Sequence, residues 1–300
     1  MNILVTGATG FLGRHLIPQL LKIPNAKIIC ICRDIQKFKT LFVDERLECI
    51  ETRYIDKISE YHLDIVIHLA AKLTARGTET VIEDYITSNI SFGAKLLESM
   101  ISCKDISLFL NFGTVAEYKF GAHKICAANI YGATKVAFEK ILEYYSSLLG
   151  FKYLHLIPYT IYGGVDTNRK VLDIILESIN IDSPVKMSEG KQVLDFINVN
   201  DIVSFIIFLI NNKGVIDCLP NGERVHLGSG IGHSLREVAS IVENISGKKC
   251  NINWGALEYR QSEIMHAVAP IGELINIGWK PSHSLEHDLE MMLLNHKING

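Results

Sequence analysis

Residues 2–13 read NILVTGATGFLG, an apolar run that leads into three glycines spaced three residues apart. The run predicts a buried strand, and the residues from Phe11 onward predict an amphipathic helix. Gly7, Gly10 and Gly13 fall in the turn between them. A tight turn needs residues that tolerate positive φ, and bare backbone amides at a helix N-terminus suit a diphosphate. The stretch therefore predicts a dinucleotide-binding turn.

The pattern of a buried strand followed by a helix repeats through the first half of the chain. Further strands are expected at 27–32, 48–55, 64–71, 107–113 and 152–157, and helices at 11–22, 78–101 and 130–149. Strands that are apolar throughout and alternate with helices indicate a parallel sheet covered on both faces. The expected fold class is α/β, a Rossmann-type doubly wound parallel sheet with a smaller interleaved C-terminal lobe.

Beyond about residue 165 the alternation loosens. Helices are expected at 169–180, 200–212 and 234–246, and strands at 193–199 and 223–228. We expect residues 1–165 plus about 193–230 to form the NAD(P)-binding Rossmann domain. Residues from about 166 to 192, together with 231–300, are expected to form a substrate-binding lobe.

Composition excludes several classes of protein. The chain has 300 residues, is 48% hydrophobic and carries a formal charge of −3, which argues against a nucleic-acid-binding surface. The longest apolar run, 202–210, is too short to span a bilayer. The seven cysteines are scattered and predict buried, reduced thiols. No metal-binding pattern is present. With a strand at the start of the chain, we expect a cytoplasmic protein without a signal peptide.

The end of the second strand bears on the choice of cofactor. It reads CICRD, with Arg33 at the strand end and Asp34 after it. An acidic residue there binds the ribose 2′-hydroxyl of NAD, and an arginine accommodates the 2′-phosphate of NADP. Arg33 therefore favours NADP(H), Asp34 keeps NAD(H) possible, and Arg33 could also be a solvated loop residue.

The order of motifs resembles the extended short-chain dehydrogenase/reductases, the NAD-dependent epimerase/dehydratase family, over nearly the whole chain. The resemblance rests on TGATGFLG (6–13), HLAA (68–71), SNISFGAKLLE (88–98), NFGTVAEY (111–118), YGATK (131–135), PYTIYG (158–163) and DFINVNDI (195–202). The stretch 262–281 is similar to reductases that make CDP-linked dideoxyhexoses.

The resemblance implies a catalytic set of Thr114, Tyr131 and Lys135. Tyr131 and Lys135 are four residues apart, so they share one face of the predicted helix. A nearby ammonium would lower the pKa of the Tyr131 phenol, which would then donate a proton, and Lys135 would also hold the nicotinamide ribose. Thr114 would orient the reacting oxygen. Without the resemblance, the pair could be a surface pair and Thr114 a turn cap.

The resemblance also implies the ligand-binding residues. For the cofactor these are Gly7, Thr9, Gly10, Phe11, Leu12, Arg33, Asp56 (at the end of the third strand), Leu69, Ala70, Ala71, Lys72, Tyr131, Lys135 and Pro158, and for the substrate Thr114, Glu117, Tyr159, Gln192 and Arg260. Asn89 is expected to support the site. Arg260 could instead be a surface residue. Leu194 and Ile157 stand where the family commonly has arginine, which leaves the substrate side less defined than the cofactor side.

The expected function is NADPH-dependent reduction of the C4 keto group of a nucleotide-linked 4-keto-6-deoxy or 3,6-dideoxy hexose, in deoxysugar biosynthesis such as that of lipopolysaccharide O-antigen. Val115 and Ala116 stand where dehydratases of the group carry an Asp-Glu pair, so dehydration is not expected. A reductase exchanges its cofactor at each turnover, and Arg33 fits the NADPH that cells hold for reduction. The alternatives are an NAD-dependent 4-epimerase and a non-catalytic dinucleotide sensor.

The expected partners are a nucleotide-diphosphate sugar and a second copy of the chain, without nucleic acid or membrane. By resemblance, a homodimer would form through the helices at 78–101 and 130–149. The apolar positions on these helices could equally belong to the core of the monomer: Ile86, Ile90, Leu96, Leu97, Phe138, Ile141 and Leu142.

Overall fold

A computed structural model describes residues 1–73, 82–103, 105–164 and 169–298 of the chain, with side chains to residue 294. The strands are β1 (Asn2–Thr6), β2 (Lys27–Cys32), β3 (Leu47–Glu51), β4 (Ile65–His68), β5 (Leu108–Phe112), β6 (Lys152–Pro158), β7 (Thr160–Tyr162), β8 (Val185–Met187), β9 (Val193–Asn198), β10 (Glu223–Leu227), β11 (Gly232–Ser234), β12 (Ile252–Trp254) and β13 (His266–Ala267).

The α-helices are α1 (Phe11–Leu20), α2 (Ile35–Leu41), α3 (Ile82–Ile86), α4 (Phe92–Ser99), α5 (Ile130–Leu149), α6 (Val171–Glu177), α7 (Val199–Asn211), α8 (Lys213–Cys218), α9 (Leu235–Ser246), α10 (Gly272–Asn276) and α11 (Leu285–Ile298). A π-helical turn at Thr87–Ser91 joins α3 to α4, and 3₁₀ helices lie at Thr52–Glu60, Val115–Glu117 and Ser178–Asn180.

The largest sheet has seven strands in the order β10-β6-β5-β4-β1-β2-β3. The pairings from β6 across to β3 are parallel. The chain runs outward from β1 to β3 and then returns to the other side of β1 at β4. Doubly wound folds bind dinucleotides at this reversal, beyond the carboxyl ends of the strands. The predicted Rossmann-type α/β fold is confirmed.

The chain forms two compact units. The first unit comprises Met1–Glu117, Asn129–Ile157 and Val203–Val225, and the second comprises Tyr118–Ala128, Pro158–Ile202 and His226–Gly300. The expected first domain included about 193–230, of which residues 203–225 lie in the first unit and residues 193–202 and 226–230 lie in the second. Strand β9 instead pairs with β7, β11 and β13 in a small sheet of the second unit.

The core of the first unit is formed where strand residues pack against α4 and α5. Strand residues such as Leu4, Val66 and Phe109 meet helical residues, among them Phe138. The helical side of this core includes four residues considered for a dimer face: Leu96, Leu97, Phe138 and Leu142. These four side chains are therefore core residues of the monomer, and the dimer itself stays a prediction.

The second unit has its own core and its own buried polar anchor. Helices α6, α9 and α11 contribute Ile175, Val238 and Leu289 to that core. None of these three side chains has exposed surface. Asp195 in β9 is also fully buried, and its carboxylate accepts hydrogen bonds from the backbone of Ser229. This anchor uses the Asp of the DFINVNDI motif to hold neighbouring loops.

The structure corrects the third strand. The expected strand at 48–55 ends at Glu51, and the chain continues as a 3₁₀ helix. Ile55 and Ile58 are both buried, and their three-residue spacing suits a helical turn rather than the alternation of a strand. Asp56, expected to end the strand, is instead exposed on this helix.

Most other predicted elements agree with the structure to within about two residues, the accuracy of helix-end assignment itself. Helix α5 and strand β2 have the predicted bounds. The helix expected at 78–101 is seen from residue 82, and 78–81 lie outside the described residues. Across the described ranges, no helix is both long and apolar enough to cross a bilayer. All seven cysteines are free, and Cys218 is exposed rather than buried.

Candidate active site

The glycine turn lies directly against the segment that follows β4. Gly7 has φ +73°, and a Cβ added there would lie 2.8 Å from the backbone nitrogen of Ala70. A Cβ on Gly13 would lie 2.4 Å from the Gly7 oxygen. The Thr6 hydroxyl accepts a hydrogen bond from the Ala70 N–H at 3.1 Å and bonds His68 Nδ1 at 2.9 Å. The glycine turn and the segment after β4, which are both predicted to bind the cofactor, are thus in contact.

This turn offers a cradle that fits a dinucleotide diphosphate. Gly10 is the N-cap of α1, is exposed, and has no side chain to cover the first helical turn. Thr9, Phe11 and Leu12 are partly exposed around it. A helix N-terminus carries a partial positive charge and N–H donors, which are what a diphosphate needs.

Arg33 and Asp34 directly follow β2, which pairs with β1. Arg33 is exposed. The Asp34 carboxylate is used locally, because it caps α2 by accepting the Lys37 N–H at 2.9 Å. Of the two residues that the sequence offered for recognition of the adenosine ribose, the acidic one is thus engaged in the helix cap.

A glycine brings the start of α5 against the turn that carries Thr114. The helix is capped by the Asn129 side chain, which accepts the Gly132 N–H at 3.0 Å. A Cβ on Gly132 would lie only 2.3 Å from the backbone oxygen of Ala116. Only glycine permits this approach, which holds Tyr131 beside the turn from Thr114 to Glu117. Within that turn, the Thr114 hydroxyl accepts the Ala116 N–H.

Lys135 is buried one helical turn after Tyr131. Its side chain is almost fully enclosed, and Nζ lies 5.9 Å from the centre of the Tyr131 ring. Burial lowers the pKa of Lys135 to about 8, and the negative charge of Glu117 opposes that shift. The pKa of His68 is lowered to about 3 by burial and then by the charge of Lys135, so His68 is neutral.

The pKa of Tyr131 has the opposite direction to the one expected. It is raised, first by burial and then by the charges of Glu117 and Tyr85. The expectation that Lys135 acidifies the phenol is therefore wrong, because the low-dielectric surroundings and a nearby carboxylate disfavour the phenolate. Tyr131 holds its proton at neutral pH.

Asn89 ties the segment after β4 to the start of α5. Its side chain accepts the Lys72 N–H at 2.6 Å and donates to the Lys72 oxygen at 3.2 Å and to the Thr134 hydroxyl at 3.1 Å. Thr134 in turn donates to the Tyr131 oxygen at 2.8 Å. Asn89 sits in the π-helical turn, a distortion often found at functional sites.

The structure does not support the expected role of Glu117 as a substrate ligand. Its side chain has no exposed surface. The carboxylate accepts the Thr114 N–H at 2.9 Å, His155 Nε2 at 3.1 Å and Arg224 Nη1 at 3.0 Å. Burial opposes ionisation, but the bonds from His155 and the charge of Arg224 outweigh it, and the pKa of Glu117 is lowered.

Sequence reasoning missed the rest of this buried cluster. Arg224 also binds Glu139, so that the side chains of four distant segments converge. Ligand atoms of Glu117, Glu139 and His155 lie within 4.8 Å of one another, but the Arg224 guanidinium already serves as the cation there. The signal in the sequence was a histidine and a glutamate inside otherwise apolar segments, 152–157 and 130–149.

The remaining predicted ligands lie in the second unit, and Pro158 among them is the last residue of β6. Tyr159 is buried, with its hydroxyl 3.2 Å from His226 Nδ1. Gln192 is buried directly before β9, and its side-chain oxygen has no hydrogen-bond partner among the described residues. Arg260 is exposed in a turn.

The chain belongs to the NAD dependent epimerase/dehydratase family, whose model matches residues 3–220. The predicted family is confirmed, and its members are enzymes. The chain is 28% identical to CDP-abequose synthase from Salmonella typhimurium strain LT2 over 97% of both chains. It is 25% identical to GDP-6-deoxy-D-talose 4-dehydrogenase from Aggregatibacter actinomycetemcomitans over 92% of this chain and 91% of that one.

Among solved structures, the chain is similar to UDP-glucuronic acid 4-epimerase from Bacillus cereus in complex with UDP-glucuronic acid and NAD. That likeness covers 100% of both chains, with 25% identity and a TM-score of 0.86.

Proposed function

We propose that this protein reduces the C4 keto group of a nucleotide-linked 4-keto-6-deoxy or 3,6-dideoxy hexose with NADPH. The observation that carries the proposal is the close approach of Gly132 to Ala116, which holds Tyr131 beside the turn of Thr114, with Lys135 one helical turn further on. Reduction of a carbonyl needs a proton donor at the oxygen, whereas oxidation of a C4 hydroxyl needs a proton acceptor. We assign Tyr131 as this donor.

Each residue then has a defined task. Tyr131 gives its proton to the C4 oxygen as that oxygen becomes an alkoxide, which leaves a hydroxyl on the sugar. The Thr114 hydroxyl bonds the same oxygen and orients it. Lys135, which is buried one helical turn after Tyr131, holds the nicotinamide ribose with its ammonium. When bound, NADPH supplies the hydride that reaches C4.

The choice of NADPH rests on the end of β2. Arg33 is exposed there and fits a 2′-phosphate dianion. Asp34, which would favour the free hydroxyl of NAD, caps α2 instead. These two observations support NADP(H) over NAD(H) within the NAD-dependent family.

The class of substrate rests on the relatives and on two apolar side chains. Two relatives that align over nearly the whole chain are named for a CDP-linked sugar and for a 4-dehydrogenase of a GDP-linked 6-deoxy sugar. Val115 and Ala116 offer no acid or base for elimination of water. For the nucleotide sugar we retain Tyr159, Gln192 and Arg260 as proposed ligands.

A 4-epimerase is the second candidate, because the likeness to the Bacillus cereus 4-epimerase extends over the full length of this chain and of that enzyme. The two functions differ in their use of cofactor. An epimerase restores its cofactor in every cycle, so it would purify with bound NAD and turn over without added NADPH.

The test is to incubate the purified protein with NADPH that carries deuterium at the transferred position, and with CDP-, dTDP-, GDP- and UDP-linked 4-keto-6-deoxy sugars. We expect loss of the nicotinamide absorbance with one sugar class and one deuterium at C4 of the product. Interconversion of 4-hydroxy sugars without net consumption of NADPH would replace the proposal with epimerisation.

A further inference from the structure

Two segments of the second unit, residues 188–192 and 255–260, leave the same edge of a small sheet. Strands β8 and β12 are parallel, and Met187 pairs with Trp254 at their carboxyl ends. Because parallel strands end at one edge, the chain after β8 and the chain after β12 begin as neighbours. They also bind each other, since the Leu257 N–H donates to the Met187 oxygen at 3.1 Å.

The loop at 188–192 is held by side chains from two other elements. A Cβ on Gly190 would lie 2.4 Å from the Trp254 ring, so glycine lets the loop backbone lie against this ring. Gly190 also has φ +72°, a conformation that favours glycine. Arg236, in the first turn of α9, donates through Nε to the Glu189 oxygen at 2.6 Å and through its backbone N–H to the Gly190 oxygen at 3.3 Å. The backbone of this loop is therefore fixed on two sides.

One hydrogen bond joins the residues that precede two of the ligands proposed for the nucleotide sugar. The Tyr259 hydroxyl accepts the Lys191 N–H at 2.9 Å. Lys191 directly precedes Gln192, and Tyr259 directly precedes Arg260. The bond therefore fixes how far apart the backbones that carry the two ligands lie.

The state of Gln192 indicates that a ligand completes this part of the molecule. Its side chain is only 4% exposed, and Oε1 has no hydrogen-bond partner in the described part of the chain. Burial of a polar atom without a partner is costly, so a ligand group that bonds this amide is favoured. Arg260 is exposed, and its guanidinium is suited to a diphosphate.

We propose that Tyr259 is a positioning residue for the nucleotide sugar: its hydroxyl holds the loop of Gln192 and the segment of Arg260 at the spacing that lets both side chains bind one nucleoside diphosphate. The identity of this ligand rests on the proposed function, whereas the contacts of Tyr259 do not. Tyr259 acts through its two neighbours, so loss of its hydroxyl weakens binding of the nucleotide and leaves the reaction at C4 unchanged.

The first test measures nucleotide binding and needs no keto sugar. CDP, dTDP, GDP and UDP are each titrated by calorimetry into the protein with NADPH present, for the wild type and for Tyr259→Phe. We expect the wild type to bind at least one of them. Tyr259→Phe should raise the Kd of that nucleotide by about threefold to tenfold, the loss expected for one neutral hydrogen bond, and should leave the Kd of NADPH unchanged.

Tyr162→Phe is the matched control, because it removes a hydroxyl that donates to Asp288 at 2.7 Å in the same unit. It should lower the free energy of unfolding and leave the nucleotide Kd unchanged. Equal weakening in both variants, no weakening in Tyr259→Phe, or a wild type that binds none of the four nucleotides would overturn the proposal. If Tyr259→Phe does not fold, hydrogen exchange of the wild type decides: the nucleotide should slow exchange of the Lys191 N–H at least threefold and leave the Gly150 N–H at the end of α5 unchanged, and equal exchange of Lys191 with and without nucleotide would contradict the role of Tyr259.

A kinetic readout separates this proposal from the proposed function. On the reductase substrate, Tyr259→Phe should raise KM by about threefold to tenfold with kcat unchanged, because the lost interaction serves binding rather than the transition state. A wild type without reductase activity, combined with weaker nucleotide binding in Tyr259→Phe, would refute the proposed function alone. Reductase activity with unchanged KM and nucleotide Kd in Tyr259→Phe would refute the role of Tyr259 alone.

Discussion

Replacement of Gly132 by alanine tests how closely α5 must approach the turn that carries Thr114. The added Cβ would lie 2.3 Å from the backbone oxygen of Ala116, about 1 Å inside an ordinary van der Waals contact. Neither partner is a flexible side chain, so the start of α5 or the turn must move by about that amount. Overpacking of this kind costs about 1–3 kcal/mol. The loss in activity should be larger, since a displacement of about 1 Å can lower rates about 100-fold.

The assay for Gly132→Ala is NADPH consumption with the active keto sugar, beside a urea unfolding curve and NADPH binding. We expect kcat to fall by about 100-fold while NADPH binding weakens much less, because most of the proposed cofactor contacts belong to the glycine turn after β1 and the segment after β4. Gly214→Ala in α8 is the matched control: it adds the same methyl group to a helix, where nothing lies within 4 Å, and should change neither rate nor stability appreciably. A Gly132→Ala protein with wild-type kcat would refute the packing argument.

Three further substitutions probe other parts of the account. Arg33→Ala should weaken NADPH binding roughly tenfold to hundredfold, since a bond to a charged group contributes about 1.5–3 kcal/mol, and should leave NADH binding unchanged in a titration of nicotinamide fluorescence. Asn89→Ala leaves the Lys72 N–H and the Thr134 hydroxyl without their shared partner. We therefore expect the free energy of unfolding to fall by about 1–3 kcal/mol, and kcat to fall with it. A variant as stable as the wild type would contradict the role of Asn89 in joining these two segments. Asp195→Asn should destabilise the protein by about 3 kcal/mol in urea, because four donors converge on that carboxylate, with an unchanged unfolding midpoint as the contrary result.

The sequence predicted the elements whose signal is local and strong. The strands of the large sheet are apolar throughout, and α5 has an Asn N-cap and a C-terminal glycine with positive φ, which define both ends. Short elements carried too little periodicity, so α2 and the small strands β8 and β12 were missed. The third strand was predicted too long, because the apolar Ile55 also fits a buried strand and the sequence does not show that it lies on a 3₁₀ helix.

The candidate site also has one part that the sequence predicts and another part that it does not. The glycine turn and the Tyr131–Lys135 spacing are short motifs, so they were available from the sequence. The cluster around Arg224 was not, because its bonds join Glu117 to His155, 38 positions away, and to Arg224, 107 positions away. The sign of the Tyr131 pKa shift depends on that cluster and on burial, neither of which a motif encodes.

The account depends on Tyr131 as the proton donor in C4 ketoreduction. The most direct measurement is the single-turnover rate of hydride transfer to the keto sugar from NADPH, in the wild type and in Tyr131→Phe. We predict that Tyr131→Phe binds NADPH as tightly as the wild type while hydride transfer slows by about 100-fold to 10,000-fold, the usual contribution of a general acid. A Tyr131→Phe protein that transfers hydride at the wild-type rate would contradict the assignment.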